Sequence, residues 1–170
     1  LDADALNIIA ENRKLLSGIA ENEGSSKQYV YTPHMGEAAR LSGKSIAQLK
    51  ETSCESAKEL AQKLRGICVL KDAATVVSDG SRIYINSSGN SGMSSAGAGD
   101  TLTGILAGCV LAGRTQKNGK ENASYEFFEK ICMGVYLHGR AGDAAADRFG
   151  NAGMKAMDIA AAVANVLKEN

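Results

Sequence analysis

Ile67-Cys68-Val69-Leu70 is an unbroken apolar run of strand length, with no polar side chain to turn toward water. A strand of this kind has to be covered on both faces, and helices packed on a sheet do that. The surrounding sequence supplies them. Leu6, Ile9, Leu15, Leu16 and Ile19 recur at helical spacing over residues 5–19, with Asp4 placed to cap. Gly36–Leu41 predicts a short helix. Ser45–Leu64 reads as one longer amphipathic helix, with Ile46, Leu49, Leu60 and Leu64 on a shared face and Gly66 as its stop. Asp100 opens a helix to about Gly113, striped by Leu102, Ile105, Leu106, Cys109 and Val110, and Tyr125–Arg148 and Ala156–Leu167 follow. Further strands are expected at Gln28–Thr32, stopped by Pro33, and at Ala74–Val77 and Arg82–Ile85, which flank the hairpin signal Asp79-Gly80. The fold class is therefore α/β, and ligands in such sheets collect beyond the carboxyl ends of the strands.

A length of 170 residues predicts a single domain over 1–170. The 19 Lys and Arg balance 19 Asp and Glu, which argues against a nucleic-acid or anionic-membrane binder. No apolar run approaches the roughly 18 residues of a membrane span, and no signal-peptide pattern opens the chain, so a cytoplasmic protein is expected. Cys54, Cys68, Cys109 and Cys132 are far apart and lack a His at ligand spacing. They read as small buried hydrophobes, and no zinc site, redox motif or other metal site is expected. The chain begins at Leu1 with nothing ahead of it to build a first strand, which leaves open a processed product, an engineered boundary or a fragment.

Three segments carry chemistry. Residues 87–99 are almost entirely Ser, Gly, Asn and Ala, and Gly97-Ala98-Gly99 run directly into a helix. Small residues permit close approach of a ligand, and the first free N–H groups of a helix favour an anion such as phosphate. Asp100 beside them can accept a proton from a hydroxyl that attacks a phosphoryl group, or it can simply N-cap the helix. No Gly-Lys-Ser/Thr follows, so this is not a P-loop. In Thr32-Pro33-His34-Met35-Gly36-Glu37, His34 stands at a strand-to-helix junction, as a ligand contact or as a structural turn residue, and Glu37 is placed to cap. Lys71-Asp72-Ala73-Ala74-Thr75 follows the buried strand: Lys71 can meet a nucleotide phosphate while the adjacent backbone and Thr75 contact the rest, or it is a solvated charge. His138 shares an apolar helical face with Phe128, Ile131, Cys132 and Val135 and reads as a core histidine.

Taken in order, Asp2-Ala3-Asp4-Ala5-Leu6-Asn7, Thr32-Pro33-His34-x-Gly36-Glu37, Leu70-Lys71, Gly89-Asn90-x-Gly92-Met93, Gly97-x-Gly99-Asp100 with Leu102-Thr103-Gly104-Ile105, and Val135-Tyr136-Leu137-His138-Gly139 form a set. It resembles the ADP/ATP-dependent NAD(P)H-hydrate dehydratases of the ribokinase-like superfamily over nearly the whole chain. Met35 and Ser91 stand where that family commonly has proline, which loosens two turns. Asp72 stands where glycine is usual, which hinders close approach of a nucleotide.

The resemblance implies a ribokinase-like three-layer α/β/α sandwich lacking its N-terminal strands, so that 1–170 is an N-terminally incomplete domain. It implies a carbon–oxygen lyase that restores NADH or NADPH from the S form of the hydrated dinucleotide at the expense of ADP or ATP, with Mg2+ as the expected cation. By position Asp100 would be the base that activates the C6 hydroxyl and would also touch the substrate. His34 would contact the hydrated dinucleotide. Lys71, Asp72, Ala73, Ala74 and Thr75 would hold the adenine nucleotide, and Gly97, Ala98 and Gly99 its transferring phosphate. The alternatives are a small-molecule kinase of the same superfamily, acting for instance on a vitamin-precursor alcohol, and an inactive or split-domain fragment. The isolated chain is expected to be weakly active or inactive, with either a homo-oligomer or a complementing N-terminal half as its partner.

Overall fold

A computed structural model describes residues 1–12, 14–15, 28–112 and 123–168. They divide into two compact units, Leu1–Ile85 and Asn86–Asn170.

The first unit is built on a mixed four-stranded sheet in the order β1-β2-β3-β4: β1 Val30–Tyr31, β2 Ile67–Leu70, β3 Val76–Ser78 and β4 Ile83–Ile85. β1 and β2 are parallel, with Val30 opposite Ile67, and the other two pairs are antiparallel. All four residues of β2 are buried, as the apolar run predicts. The helices of this unit are α1 Asp4–Glu11, α2 Met35–Ser42, α3 Ile46–Glu51 and α4 Ser53–Leu64. Leu6, Ile9, Tyr31, Ala38, Leu41, Leu49, Leu60, Leu64, Cys68 and Leu70 meet in its core.

Several expectations are corrected here. Asp4 is the first helical residue of α1 and not its cap; Ala3 precedes the helix without a side-chain cap bond. The helix ends at Glu11, where Asn12 leaves helical geometry. Leu15 is exposed, and Leu16 and Ile19 lie outside the described residues. The strand at Gln28–Thr32 contracts to Val30–Tyr31. The long helix at Ser45–Leu64 is broken at Thr52 (φ −125°, ψ 48°), so Ile46, expected on the buried face, is exposed. Thr52 Oγ1 bonds the Gln48 carbonyl at 3.0 Å and lies 3.2 Å from Ser56 Oγ, the local competition by which Ser and Thr end helices. Gly66 stops α4 for a reason other than capping. Arg65 takes the left-handed position (φ 51°), whereas a Cβ on Gly66 would lie 2.6 Å from the Tyr29 carbonyl oxygen. In the β3–β4 connection the Asp79 carboxylate accepts the N–H groups of Ser81 and Arg82 and Gly80 takes a left-handed φ of 92°, in keeping with the hairpin signal.

The second unit contains a 3₁₀ turn at Ser91–Met93 and the helices α5 Ala98–Ala112, α6 Ala123–Phe149 and α7 Ala156–Val166. Leu137, Ala141, Ala145, Met154, Ile159, Ala162 and Val166 form its core. α5 begins two residues ahead of Asp100, and Gly113 lies outside the described residues. Among the described residues no helix is long and apolar enough to cross a membrane. None of the four cysteines is in a disulfide: Cys68 is buried, while Cys54, Cys109 and Cys132, also expected in the interior, are half-buried.

Tyr31 ties β1 to α4. Its side chain is fully buried and its hydroxyl donates to the Leu64 carbonyl at 3.0 Å, while burial pushes the phenol up to about 12, so it stays a neutral donor. Removing the hydroxyl leaves a carbonyl in the last turn of α4 without this partner. Tyr31→Phe should therefore lower the unfolding free energy by about 1–2 kcal/mol in a denaturant titration, and a change below about 0.3 kcal/mol would contradict the assignment.

Candidate functional site

In the first unit the sheet brings together two segments that are far apart in sequence. Beyond β1 and β2 the parallel ladder continues: the Lys71 N–H donates to the Pro33 carbonyl at 2.8 Å, and His34 pairs with Lys71 as an isolated bridge. Both residues therefore sit at the carboxyl end of this strand pair, where an α/β sheet presents ligand contacts. His34 caps α2. Its Nδ1 accepts the N–H groups of Gly36 at 2.9 Å and Glu37 at 3.3 Å, and the buried Glu37 carboxylate accepts the His34 N–H at 2.8 Å. Glu37 has the capping role expected of it, and the imidazole is 55% exposed while performing a structural one. Of the two readings of His34, its hydrogen bonds show the turn role, and the ring remains exposed.

Lys71 is engaged in a way the sequence did not signal. Its ammonium lies 2.8 Å from Asp2 Oδ1. Burial works to raise the Asp2 carboxyl, but the bond and charge of Lys71 and a bond from Thr32 outweigh it and hold the group below its ordinary value. Asp72, Ala73 and Ala74 are exposed and Thr75 is half-buried; the Asp72 carboxylate lies 3.8 Å from Lys50 Nζ.

In the second unit the glycine-rich stretch lies along α6. Ser88 Oγ donates to the Tyr136 carbonyl at 3.0 Å, and the Gly89 N–H and Asn90 Nδ2 donate to the two oxygens of Asp143 at 3.0 and 3.1 Å. The contact depends on two helix glycines. A Cβ on Gly139 would lie 2.1 Å from Ser88 Oγ, and one on Gly142 would lie 2.2 Å from Met93 Sδ. Past the 3₁₀ turn, Gly97 takes a left-handed φ of 87° and α5 starts at Ala98. Asp100 is then the third residue of α5, exposed and inside its first turn, so the reading of Asp100 as a simple N-cap is corrected. Gly97-Ala98-Gly99 form the entry to a 15-residue helix; the Ala98 N–H donates to the Ser95 carbonyl at 3.2 Å, and the helix dipole with the remaining first-turn N–H groups favours an anion. Among the described residues no three His, Cys, Asp or Glu side chains cluster to hold a metal ion.

Asp2 and Gly139 stand in the ordered set of segments without a role assigned to them, and the sequence reading did not single out Asp143 or Gly142. Glycine twice within one turn of a helix interior costs about 1 kcal/mol each in propensity, and that cost was the available signal that something packs there. His138, read as a core residue, is half-buried, and its Nε2 is enclosed without a hydrogen-bond partner. Burial pushes the imidazole down to about 4, opposed only by the backbone of Ala98.

Comparison with known proteins points in one direction. The family model described as NAD(P)H-hydrate dehydratase matches residues 1–165. The bifunctional NAD(P)H-hydrate repair enzyme Nnr of Moorella thermoacetica is 42% identical over 161 residues, which cover 94% of this chain and 27% of that protein. The ADP/ATP-dependent NAD(P)H-hydrate dehydratase of Bacillus subtilis, co-crystallised with ATP/Mg2+ and soaked with CoA, aligns at a TM-score of 0.72 and 26% identity, covering 85% of this chain and 53% of that one. A ribokinase-like superfamily protein of Enterococcus faecalis V583 aligns at a TM-score of 0.73 and 26% identity, over 99% of this chain and 51% of the other, which agrees with the ribokinase-like fold class. The chain thus spans between about a quarter and about half of the length of the proteins it matches.

The environment of His138 has a consequence for acid stability. Its folded-state pKa of about 4 lies below the ordinary 6.5, so between these values the unfolded chain binds a proton that the folded chain does not. Stability contributed by the neutral imidazole is complete above the unfolded value and is lost as pH falls toward the folded one, by on the order of 3 kcal/mol in total. Unfolding free energy measured from pH 7 to pH 4 should fall less steeply in His138→Gln than in the parent, and identical slopes would refute the assignment.

Proposed function

We propose, because the chain belongs to the NAD(P)H-hydrate dehydratase family, that it takes part in the ADP- or ATP-dependent dehydration of the S form of hydrated NADH or NADPH, restoring the reduced dinucleotide. The observation that carries the reading is the start of α5, where Gly97-Ala98-Gly99 enter a helix with Asp100 exposed in its first turn. This places an anion-favouring backbone and a carboxylate within three residues of each other. Phosphoryl transfer to a hydroxyl needs both.

In this reading Asp100 accepts the proton of the C6 hydroxyl as its oxygen attacks the terminal phosphorus, the bond from that phosphorus to the bridging oxygen breaks and AMP leaves from ADP, or ADP from ATP, and N–H groups at the entry to α5 hold the transferring phosphate. Loss of that phosphate, with the C6–O bond broken and a ring proton released, then regenerates the dihydronicotinamide. His34, at the carboxyl end of β1, contacts the hydrated dinucleotide. Lys71, Asp72, Ala73, Ala74 and Thr75 contact the adenine nucleotide; Lys71 would exchange its Asp2 partner for a phosphate. A magnesium ion would neutralise charge on the phosphates, and it would be carried mainly by the phosphates themselves, since the described residues offer no carboxylate cluster. Four cysteines outside any disulfide fit a reducing cytoplasm.

The test is recovery of reduced-nicotinamide absorbance from hydrated NADH with ADP or ATP and magnesium, in the 170-residue chain and in a chimera completed from one of the longer relatives. Asp100→Asn should lower the rate by roughly a hundredfold or more, the scale of a lost general base, while nucleotide binding persists. An unchanged rate would sink the assignment of Asp100, and accumulation of a stable phosphorylated alcohol with no absorbance recovery would favour a kinase.

A further inference from the structure

A stretch with few side chains of its own must be shaped from outside, and beside the Ser88 bond to the Tyr136 carbonyl the amino-terminal end of this one is held by the Asp143 carboxylate. Both oxygens of Asp143 are occupied, one by a main-chain N–H and one by a side-chain amide, from consecutive residues of the loop. The hold continues along the chain. Asn90 Oδ1 accepts the Gly92 N–H at 3.0 Å, the bond that caps the 3₁₀ turn Ser91–Met93. Gly92 is itself confined, because a Cβ there would lie 2.5 Å from Met154 Sδ and 2.6 Å from the Asn151 carbonyl oxygen. Gly89, where the clamp begins, sits at a left-handed φ of 99°.

The chemistry of the clamp calls for a carboxylate. Two donors converge on two oxygens, and an ionised Asp is acceptor-only, so both are served. An amide in its place would turn an NH₂ toward one of the donors. We propose that Asp143 is a positioning residue for the reaction: by fixing Gly89 and Asn90, and through Asn90 the turn at Gly92, it sets the path on which the loop delivers Gly97-Ala98-Gly99 to the start of α5. The functional half of this inference rests on the reading that those residues receive the phosphate. A phosphate site built of backbone N–H groups tolerates little displacement, so a loosened lead-in reaches the chemistry even though Asp143 touches no reactant.

The test compares the parent, Asp143→Asn and Asn90→Ala in the full chain, by amide hydrogen exchange, by chemical-shift change at the Gly97 and Gly99 amides on adding ADP with magnesium, and by kcat and KM for hydrated NADH. Asp143→Asn should speed exchange at Gly89 and Gly92 by roughly tenfold or more, the weight of one charge-assisted hydrogen bond, and lower kcat by a similar factor with KM for the dinucleotide little changed. Amides of the α7 core, such as Ile159 and Ala162, should exchange as in the parent. Asn90→Ala, which leaves Asp143 and Gly89 joined but removes the acceptor of the Gly92 N–H, should speed exchange at Gly92 at least as much and at Gly89 less, and the two substitutions combined should cost less than the sum of their separate effects. Unchanged exchange at Gly89 and Gly92, acceleration spread evenly over the unit, or faster exchange with kcat intact would each overturn the proposal. Absence of any ADP response at Gly97 and Gly99 in the parent would instead sink the phosphate-site reading, and the exchange data would still decide whether Asp143 holds the loop.

Discussion

A loop made of glycine, serine and alanine cannot hold its own shape. Everything useful about the second unit depends on the surface that does this for it. That surface is one side of α6, where Gly139 and Gly142 remove the side chains that would keep the loop at a distance and Asp143 supplies the acceptors. Small residues in the helix let the loop approach closely, as the near contacts at Gly139 and Gly142 show. The cost falls on α6, whose 27 residues include glycines that weaken a helix, and the packing of Leu137, Ala141 and Ala145 into the core offsets it.

The first unit solves a different problem by ladder extension. β1 is two residues long, yet the pairing that begins at Val30 and Ile67 runs on through Pro33 and Lys71. Proline has no N–H to offer, but its carbonyl still accepts, so the strand can end at Pro33 without losing register. That one bond places His34 beside Lys71. The capping box of His34 and Glu37 then starts α2 at the same point, and a single short segment ends a strand, begins a helix and presents an imidazole.

Much of this was legible in the sequence and some of it was not, for identifiable reasons. β2 could be read because four consecutive apolar residues admit few other fates, and the hairpin because Asp-Gly carries its own turn chemistry. The break at Thr52 was hidden because Ile46, Leu49, Leu60 and Leu64 fall on one face of an unbroken helix equally well, and hydroxyl side chains decided otherwise. Asp100 looked like a cap because caps and first-turn acids use the same residue type, and the difference of three positions depends on where Gly97 turns. Asp143 could not be read at all. Its partners are 53 and 54 residues away, and nothing local distinguishes it from a solvated acid on a helix. Asp2 could be read as the start of the ordered set, but not its pairing with Lys71, 69 residues away.

The state of His138 bears on how an anion would be attracted to the start of α5. An imidazolium has two N–H donors, and buried donors need acceptors; here Nε2 is enclosed without one. The residue is therefore held neutral, as its depressed pKa of about 4 records. The helix entry is thus not underlain by a titrating positive charge that would come and go near neutral pH. Attraction for a phosphate there would come from fixed main-chain dipoles, which do not titrate and need no reorganisation when charge develops. In the proposed reading that helix end would hold the phosphate that moves and, at Asp100, the base that frees the hydroxyl to receive it.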